Sequence, residues 1–162
     1  MTIINHKYKF IFLKPSRVGG SSLQYGLLKS FGPADVGDLY DYEVTKELFW
    51  LPHKRVPIDS HATYDEILKV YPYANDYQVI SIWRDEEERY DSSWRYYHAR
   101  MHNSDVEAAV RETIEHDRYI WELPGIRLLR TEYLQRDYEV LCKEYGVVPM
   151  RPLPYFRSSH VD

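Results

Sequence analysis

Cysteine is almost absent: Cys142 is the only one in 162 residues. One thiol excludes an internal disulfide and any cysteine-cluster metal site, and no metal is expected. Long apolar runs are missing too. A membrane span needs roughly 20 apolar residues, and no run approaches that length. In MTIINHKYKFIFLK the uninterrupted apolar block is Phe10–Leu13, too short for the core of a secretion signal. A cytoplasmic chain with no membrane partner is the expectation. Nor is there a basic excess: 21 Lys+Arg face 25 Asp+Glu, for a net charge of −4. Neutralising a phosphate backbone needs a basic surface, so general nucleic-acid binding is disfavoured. Internal repeats and low-complexity stretches are lacking as well.

What is present is a single-domain composition over residues 1–162, with 44% apolar and 28% charged residues. Aromatics are plentiful, with 16 Tyr, 5 Phe and 4 Trp, and much of this must be core. The charge is uneven. Residues 1–34 hold Lys7, Lys9, Lys14, Arg17 and Lys29 and no acid, so the segment carries +5 and the remainder −9. A basic, glycine-containing segment on an acidic protein points to a local anion site.

Lys7–Lys14 (KYKFIFLK) reads as a strand and Ser21–Phe31 as a helix, stopped by Gly32-Pro33. Residues 34–60 read as irregular, with a short helix near 44–50. Thr63-Tyr64-Asp65-Glu66 is a capping-box pattern that opens a helix to about Val70. Tyr77–Trp83 is a strand, followed by a long helix from Asp85 to about Met101. Ser104-Asp105-Val106-Glu107 is a second capping box, for a helix to about Ile120. Ile126–Arg130 is a third strand and Glu132–Tyr145 a last helix ended by Gly146. Alternating strands and helices predict an α/β three-layer sandwich around a mostly parallel sheet. Its ligand crevice lies just after the strands, at residues 15–22, 84–89 and 131–132.

Lys14-Pro-Ser-Arg-Val-Gly-Gly-Ser-Ser22 joins a strand to a helix. Gly19 and Gly20 let backbone N–H groups approach an anion, and the helix start supplies donors and a favourable dipole. Ser21 and Ser22 add hydroxyls, and Arg17 a charged fork suited to phosphate or sulfate. A plain helix cap on Ser21 is the competing reading. Gly20 is followed by serine rather than lysine, which disfavours an ordinary Walker kinase or ATPase.

This loop resembles that of the sulfotransferases using 3′-phosphoadenosine 5′-phosphosulfate, with Arg17 where their lysine stands. Ile80–Ser92 resembles a second block of that family and keeps Arg84, Arg89 and Ser92, with Asp85-Glu86 in place of Asn-Pro. Further likenesses lie in Leu128–Leu134, in the tail Leu153–Ser159, and in the histidine segment His61–Ile67. The resemblance implies a P-loop-NTPase-like sulfotransferase fold and transfer of a sulfuryl group to a hydroxyl or amine on a small-molecule or carbohydrate acceptor. It implies that Gly19, Gly20, Ser21 and Ser22 grip the 5′-phosphosulfate. Arg17, or alternatively Lys14, would neutralise developing charge, and Arg84 and Ser92 would hold the 3′-phosphate. His61 is the candidate base.

The competing readings are structural. Lys14 could be a solvated strand-end lysine. Arg84 could pair with a neighbouring glutamate, since Asp85, Glu86, Glu87 and Glu88 crowd the helix start. Glu66 is a capping residue, Cys142 a buried one, and Trp94, Tyr96 and Tyr97 read as core. The functional alternatives are a non-catalytic nucleotide-binding or interaction protein on the same fold and, third, a P-loop-type kinase.

Overall fold

The structure, a computed structural model, describes residues 2–37, 51–101 and 105–156. The chain opens with a hairpin of β1 (Ile3–Asn5) and β2 (Phe10–Phe12), with Ile3 opposite Phe12 and Asn5 opposite Phe10. Lys7–Lys14 is thus not one strand. Lys9 takes a left-handed φ of 53°, and the Tyr8 N–H donates to Asn5 Oδ1 at 3.0 Å, so residues 6–9 make the turn.

Two short strands occupy the stretch read as irregular. β3 (Ala34–Val36) runs antiparallel to β1, and β4 (His53–Arg55) runs parallel to β3. The central strand β5 (Gln78–Trp83) is parallel to β2, and β6 (Arg127–Arg130) is parallel to β5. The sheet order is β4-β3-β1-β2-β5-β6. The fold is α/β, but its sheet is mixed, because β1 pairs antiparallel on both sides. The expected helix at 44–50 lies outside the described residues.

Five α-helices accompany the sheet among the described residues: α1 (Gly20–Phe31), α2 (Tyr64–Val70), α3 (Glu86–Arg100), α4 (Val106–Trp121) and α5 (Leu134–Glu144). A 3-10 turn, Thr131–Tyr133, precedes α5. The capping box of α2 forms as its sequence demands: Thr63 Oγ1 accepts from the Glu66 N–H, and Glu66 Oε2 accepts from the Thr63 N–H. The second box rests on Ser104, which lies outside the described residues. Asp105, one residue later, caps α4 by accepting from the Ala108 N–H at 3.0 Å, and Glu107 pairs with Arg111 instead.

Strand alternation sorts the core onto two faces. Phe10, Phe12, Ile80 and Ile82 join Leu23, Leu27, Leu28 and Phe31 of α1 and Tyr138, Leu141 and Cys142 of α5. Ile11, Leu13 and Val79 join Ile67 of α2 and Ile120 of α4 on the other face. β5 is buried throughout Val79–Ile82, as a strand covered on both faces requires. Parallel β2, β5 and β6 therefore bring their C-terminal ends to one edge. There they deliver residues 13–19, 84–86 and 131–133.

Candidate functional site

The loop after β2 begins in register with the sheet: the Leu13 N–H donates to the Ile80 carbonyl at 3.0 Å, and Ser81 Oγ donates to the Leu13 carbonyl at 2.8 Å. Beyond that point the backbone is held from every side. The Ser16 N–H donates to Asp117 Oδ2 at 2.7 Å, and Arg89 Nε donates to the Ser16 carbonyl at 2.9 Å. Arg84 Nη1 donates to the Arg17 carbonyl at 2.9 Å. Thr131 Oγ1 lies 3.2 Å from the Val18 carbonyl and 3.0 Å from that of Trp83, tying the loop to β5 and to the turn after β6. Val18 is fully buried. These bonds hold Arg17 at a left-handed φ of 63°, which a non-glycine residue adopts at a cost of about 1–3 kcal/mol.

Arg89 and Asp117 are the anchors. Their side chains form an ion pair between a fully buried guanidinium and a carboxylate only 3% exposed, and Arg89 also lies against the Trp121 ring. Burial pulls the Arg89 pKa down while Asp117 and Glu86 oppose the shift. Arg89 belongs to the motif that singled out Arg84 and Ser92, but its position is structural. Nothing in the sequence around Asp117 marked it, because its partners lie 28 and 101 residues away.

Helix α1 starts at Gly20 with Gly19 as its cap at φ 79°, and no side chain caps it. The expected alternative, a cap on Ser21, is not formed. Ser21 Oγ instead accepts from Lys14 Nζ at 3.3 Å, and the same ammonium reaches Gln24 Oε1 at 3.4 Å. The lysine stem crosses directly over Gly20: a Cβ there would fall 2.6 Å from Lys14 Cγ. Lys14 is therefore not a solvated strand-end lysine but part of the loop. The Ser22 N–H donates to the Gly19 carbonyl at 3.2 Å, closing the first turn. An uncapped helix start directs its first N–H groups outward, beside the Lys14 ammonium.

The second block meets the first. Arg17 Nη2 donates to Ser92 Oγ at 3.4 Å, and its guanidinium lies 4.5 Å from the centroid of the Tyr96 ring. Burial lowers the Arg17 pKa; Tyr96 opposes the shift, while the charges of Arg100 and Arg84 add to it. Arg84 also donates from Nε to Glu88 at 3.4 Å, the glutamate pairing that competes with a ligand. Tyr96, read as core, is half-buried and lies against the loop arginine instead. Trp94 is not core: it is 41% exposed and stacks on His98 at 4.5 Å. Tyr97, also read as core, is only half-buried and belongs to neither core cluster; its hydroxyl lies 2.8 Å from Thr113 Oγ1 of α4.

His61 sits in the turn before α2, its N–H donating to Asp59 Oδ1 at 2.7 Å. It is open to solvent on one side and crowded by protein on the other. Burial pushes its pKa down to about 4, nearby positive charge including Lys14 adds to the shift, and Asp117 opposes it. The ring is therefore neutral near pH 7. An open depression of about 420 Å³ borders Arg84, with Trp83 and Trp121 in its wall. The tail returns over α1. A Cβ on Gly26 would fall 2.4 Å from Leu153 Cδ2, and Phe156 packs 5.8 Å from Tyr25. Residues 157–159 of the expected tail segment lie outside the described residues. Glu132 is exposed, and Cys142 is buried with its thiol pushed up to about 11 by burial.

Compared with known proteins, the chain matches no family model, no curated protein and no solved structure. Among the described residues, no three His, Cys, Asp or Glu side chains group as a metal would require. Nor, among them, is any helix long and apolar enough to cross a membrane.

Proposed function

We propose that the chain is a sulfotransferase of P-loop-like fold that uses 3′-phosphoadenosine 5′-phosphosulfate to modify a hydroxyl or amine. The observation that supports this reading is a convergence. Arg17 and Ser92, chosen from separate sequence blocks, touch at 3.4 Å, and Arg84 holds the Arg17 carbonyl beside an uncapped helix start. The donor set suits such a ligand: three cations, two serine hydroxyls and a glycine that leaves no room for a side chain. When bound, the cosubstrate supplies the activated sulfuryl group.

The residues divide the work. Ser21, Ser22 and the amides at the start of α1 hold the 5′ end, where Lys14 adds charge. Arg17 stabilises negative charge as it builds on the leaving side. Arg84 and Ser92 take the 3′-phosphate. His61 is neutral, the protonation state a base requires, but a pKa near 4 makes it a weak one until a bound anion raises it. Glu88 already occupies one nitrogen of Arg84, which weakens the 3′-phosphate contact whether or not turnover follows.

Thermal denaturation with 3′,5′-adenosine bisphosphate tests the reading. At a hundredfold excess over Kd a ligand adds about 2.7 kcal/mol, worth several degrees in a domain of this size. The melting temperature rises for the wild type and not for Arg17→Ala. No shift at millimolar ligand overturns the proposal. Binding without transfer of labelled sulfate to any acceptor in a broad panel selects the non-catalytic alternative.

A further inference from the structure

Helix α3 lays Ser92, Tyr96 and Arg100 at i, i+4 and i+8 along one face. The Arg100 guanidinium sits 3.8 Å from the Tyr96 ring centroid, and Arg17 approaches the same ring at 4.5 Å. Arg17 also reaches Ser92, and its carbonyl is held by Arg84. Read along the helix, the order is Arg84, then Ser92 with Arg17, then Tyr96, then Arg100. Arg100 thus stands on the side of Arg17 away from Arg84.

Among the described residues no carboxylate pairs with it. The acids of α3 and its cap, Asp85 to Glu88 and Asp91, all lie in the first half of the helix, and among the described residues Arg100 makes no ion pair. The helix dipole favours a cation in the last turn. That explains an arginine at this position, but not its seat on the ring that also carries Arg17. Two guanidiniums on one tyrosine repel each other, and Arg100 contributes to the lowered pKa of Arg17.

We infer that Arg100, seated on Tyr96, binds an anionic group of the acceptor, a carboxylate or sulfate ester near the hydroxyl to be modified, so that acidic acceptors are preferred over neutral ones. The inference rests on the proposed sulfuryl transfer. If Arg84 and Ser92 take the 3′-phosphate and Arg17 the sulfuryl group, the far side of Arg17 is where an acceptor enters. Arg100 then adds recognition without touching the nucleotide.

The test uses the full chain, wild type and Arg100→Gln, titrated by ligand-detected NMR with 4-nitrophenyl β-D-glucuronide and 4-nitrophenyl β-D-glucoside. These probes differ by one carboxylate. The expected result is at least tenfold tighter binding of the glucuronide by the wild type. Arg100→Gln loses that preference, Arg100→Lys keeps part of it, and all three proteins bind 3′,5′-adenosine bisphosphate within twofold of one another. Equal binding of the two glycosides by the wild type, or a preference that survives Arg100→Gln, overturns the inference. A tenfold loss of bisphosphate affinity in Arg100→Gln also overturns it, by placing Arg100 in the nucleotide site. If the wild type fails to bind the bisphosphate at all, the sulfotransferase reading falls first and takes the acceptor assignment with it. A bisphosphate that binds beside glycosides that do not differ removes the acceptor inference alone.

Discussion

The two edges of one sheet are finished in opposite ways. Where β2 and β5 begin, polar groups close on one another. His6 Nε2 lies 3.2 Å from Asp35 Oδ2, His6 Nδ1 lies 3.2 Å from the Tyr77 hydroxyl, and Tyr71 donates to the same Asp35 oxygen at 2.7 Å. The rings of Tyr71, Tyr73 and Tyr77 stand 5.1–5.9 Å from that of His6. Burial, together with the bond to Asp35, raises the Tyr71 hydroxyl well above its ordinary pKa. Where β2 and β5 end, cations gather instead, around an uncapped helix, on a loop whose backbone is fixed by groups that are themselves buried. The first edge turns the groups around His6 on one another, beside an open depression of about 380 Å³ lined by Tyr77 and Gln78. The second uses the buried Arg89–Asp117 pair to shape the loop and keeps Lys14, Arg17 and Arg84 half-buried around it. The difference separates a structural network from a candidate binding site more clearly than residue type does, since both edges are rich in ionisable and aromatic side chains.

The largest effect should come from removing the buried anchor at the crevice edge. Asp117→Ala strands the Arg89 guanidinium without its partner and takes the acceptor from the Ser16 N–H. Breaking one half of a buried pair costs about 3–5 kcal/mol. Urea denaturation should show that loss, and nucleotide binding should fail with it. A loss below about 1 kcal/mol would mean that the loop is shaped by something else.

Next in size is Gly20→Ala. The new methyl meets the Lys14 stem at its Cγ, near the backbone rather than at its flexible end, so the stem must move. Overpacking of this kind costs about 1–3 kcal/mol. Because the strain is local to the lysine and the helix start, bisphosphate affinity should fall by more than the stability change would suggest. Unchanged affinity would detach Lys14 from the site.

These two residues mark how far the sequence could be read. The capping box at Thr63–Glu66, the Gly32 and Gly146 stops and the extent of α3 follow from local rules, because their partners lie within one turn. The loop and its partners Arg84 and Ser92 were legible on another ground, as strand-to-helix junctions facing one edge, although their contacts span 67 and 75 residues. The antiparallel β1 was not legible, since Ile3–Asn5 carries no alternation to read. β4 (HKR) is a polar edge strand held only by pairing with β3. Asp117, Thr131 and Tyr96 owe their roles to contacts that span 28 to 113 residues or depend on which face of α3 turns inward. No local pattern encodes those.

A smaller effect should come from the closed edge. Tyr71→Phe removes one donor to Asp35 and leaves the His6 contact in place. A hydrogen bond to a charged group is worth about 1.5–3 kcal/mol and less when a second donor remains, so a loss of about 1 kcal/mol is expected. Bisphosphate affinity should stay within twofold. A tenfold loss of affinity would show that the two edges are coupled and that their separation into structure and site is wrong.

The smallest change in stability carries the sharpest test of the crevice. Glu88→Gln removes an exposed i,i+4 partner of Arg84, a pair worth about 0.3–0.5 kcal/mol, so denaturation should barely move. Affinity should behave differently. Arg84 keeps its bond to the Arg17 carbonyl, and its Nε is released from a carboxylate that competes with any phosphate. Loss of one nearby negative charge should tighten 3′,5′-adenosine bisphosphate about two- to fivefold at low salt, with the gain shrinking as salt screens the charge. Adenosine 5′-phosphate, lacking the 3′ group, should gain little. Equal gains for both nucleotides would move the Arg84 contact away from the 3′-phosphate. No gain for either would leave Arg84 as a brace for the loop, of the same kind as Arg89 five residues along the chain.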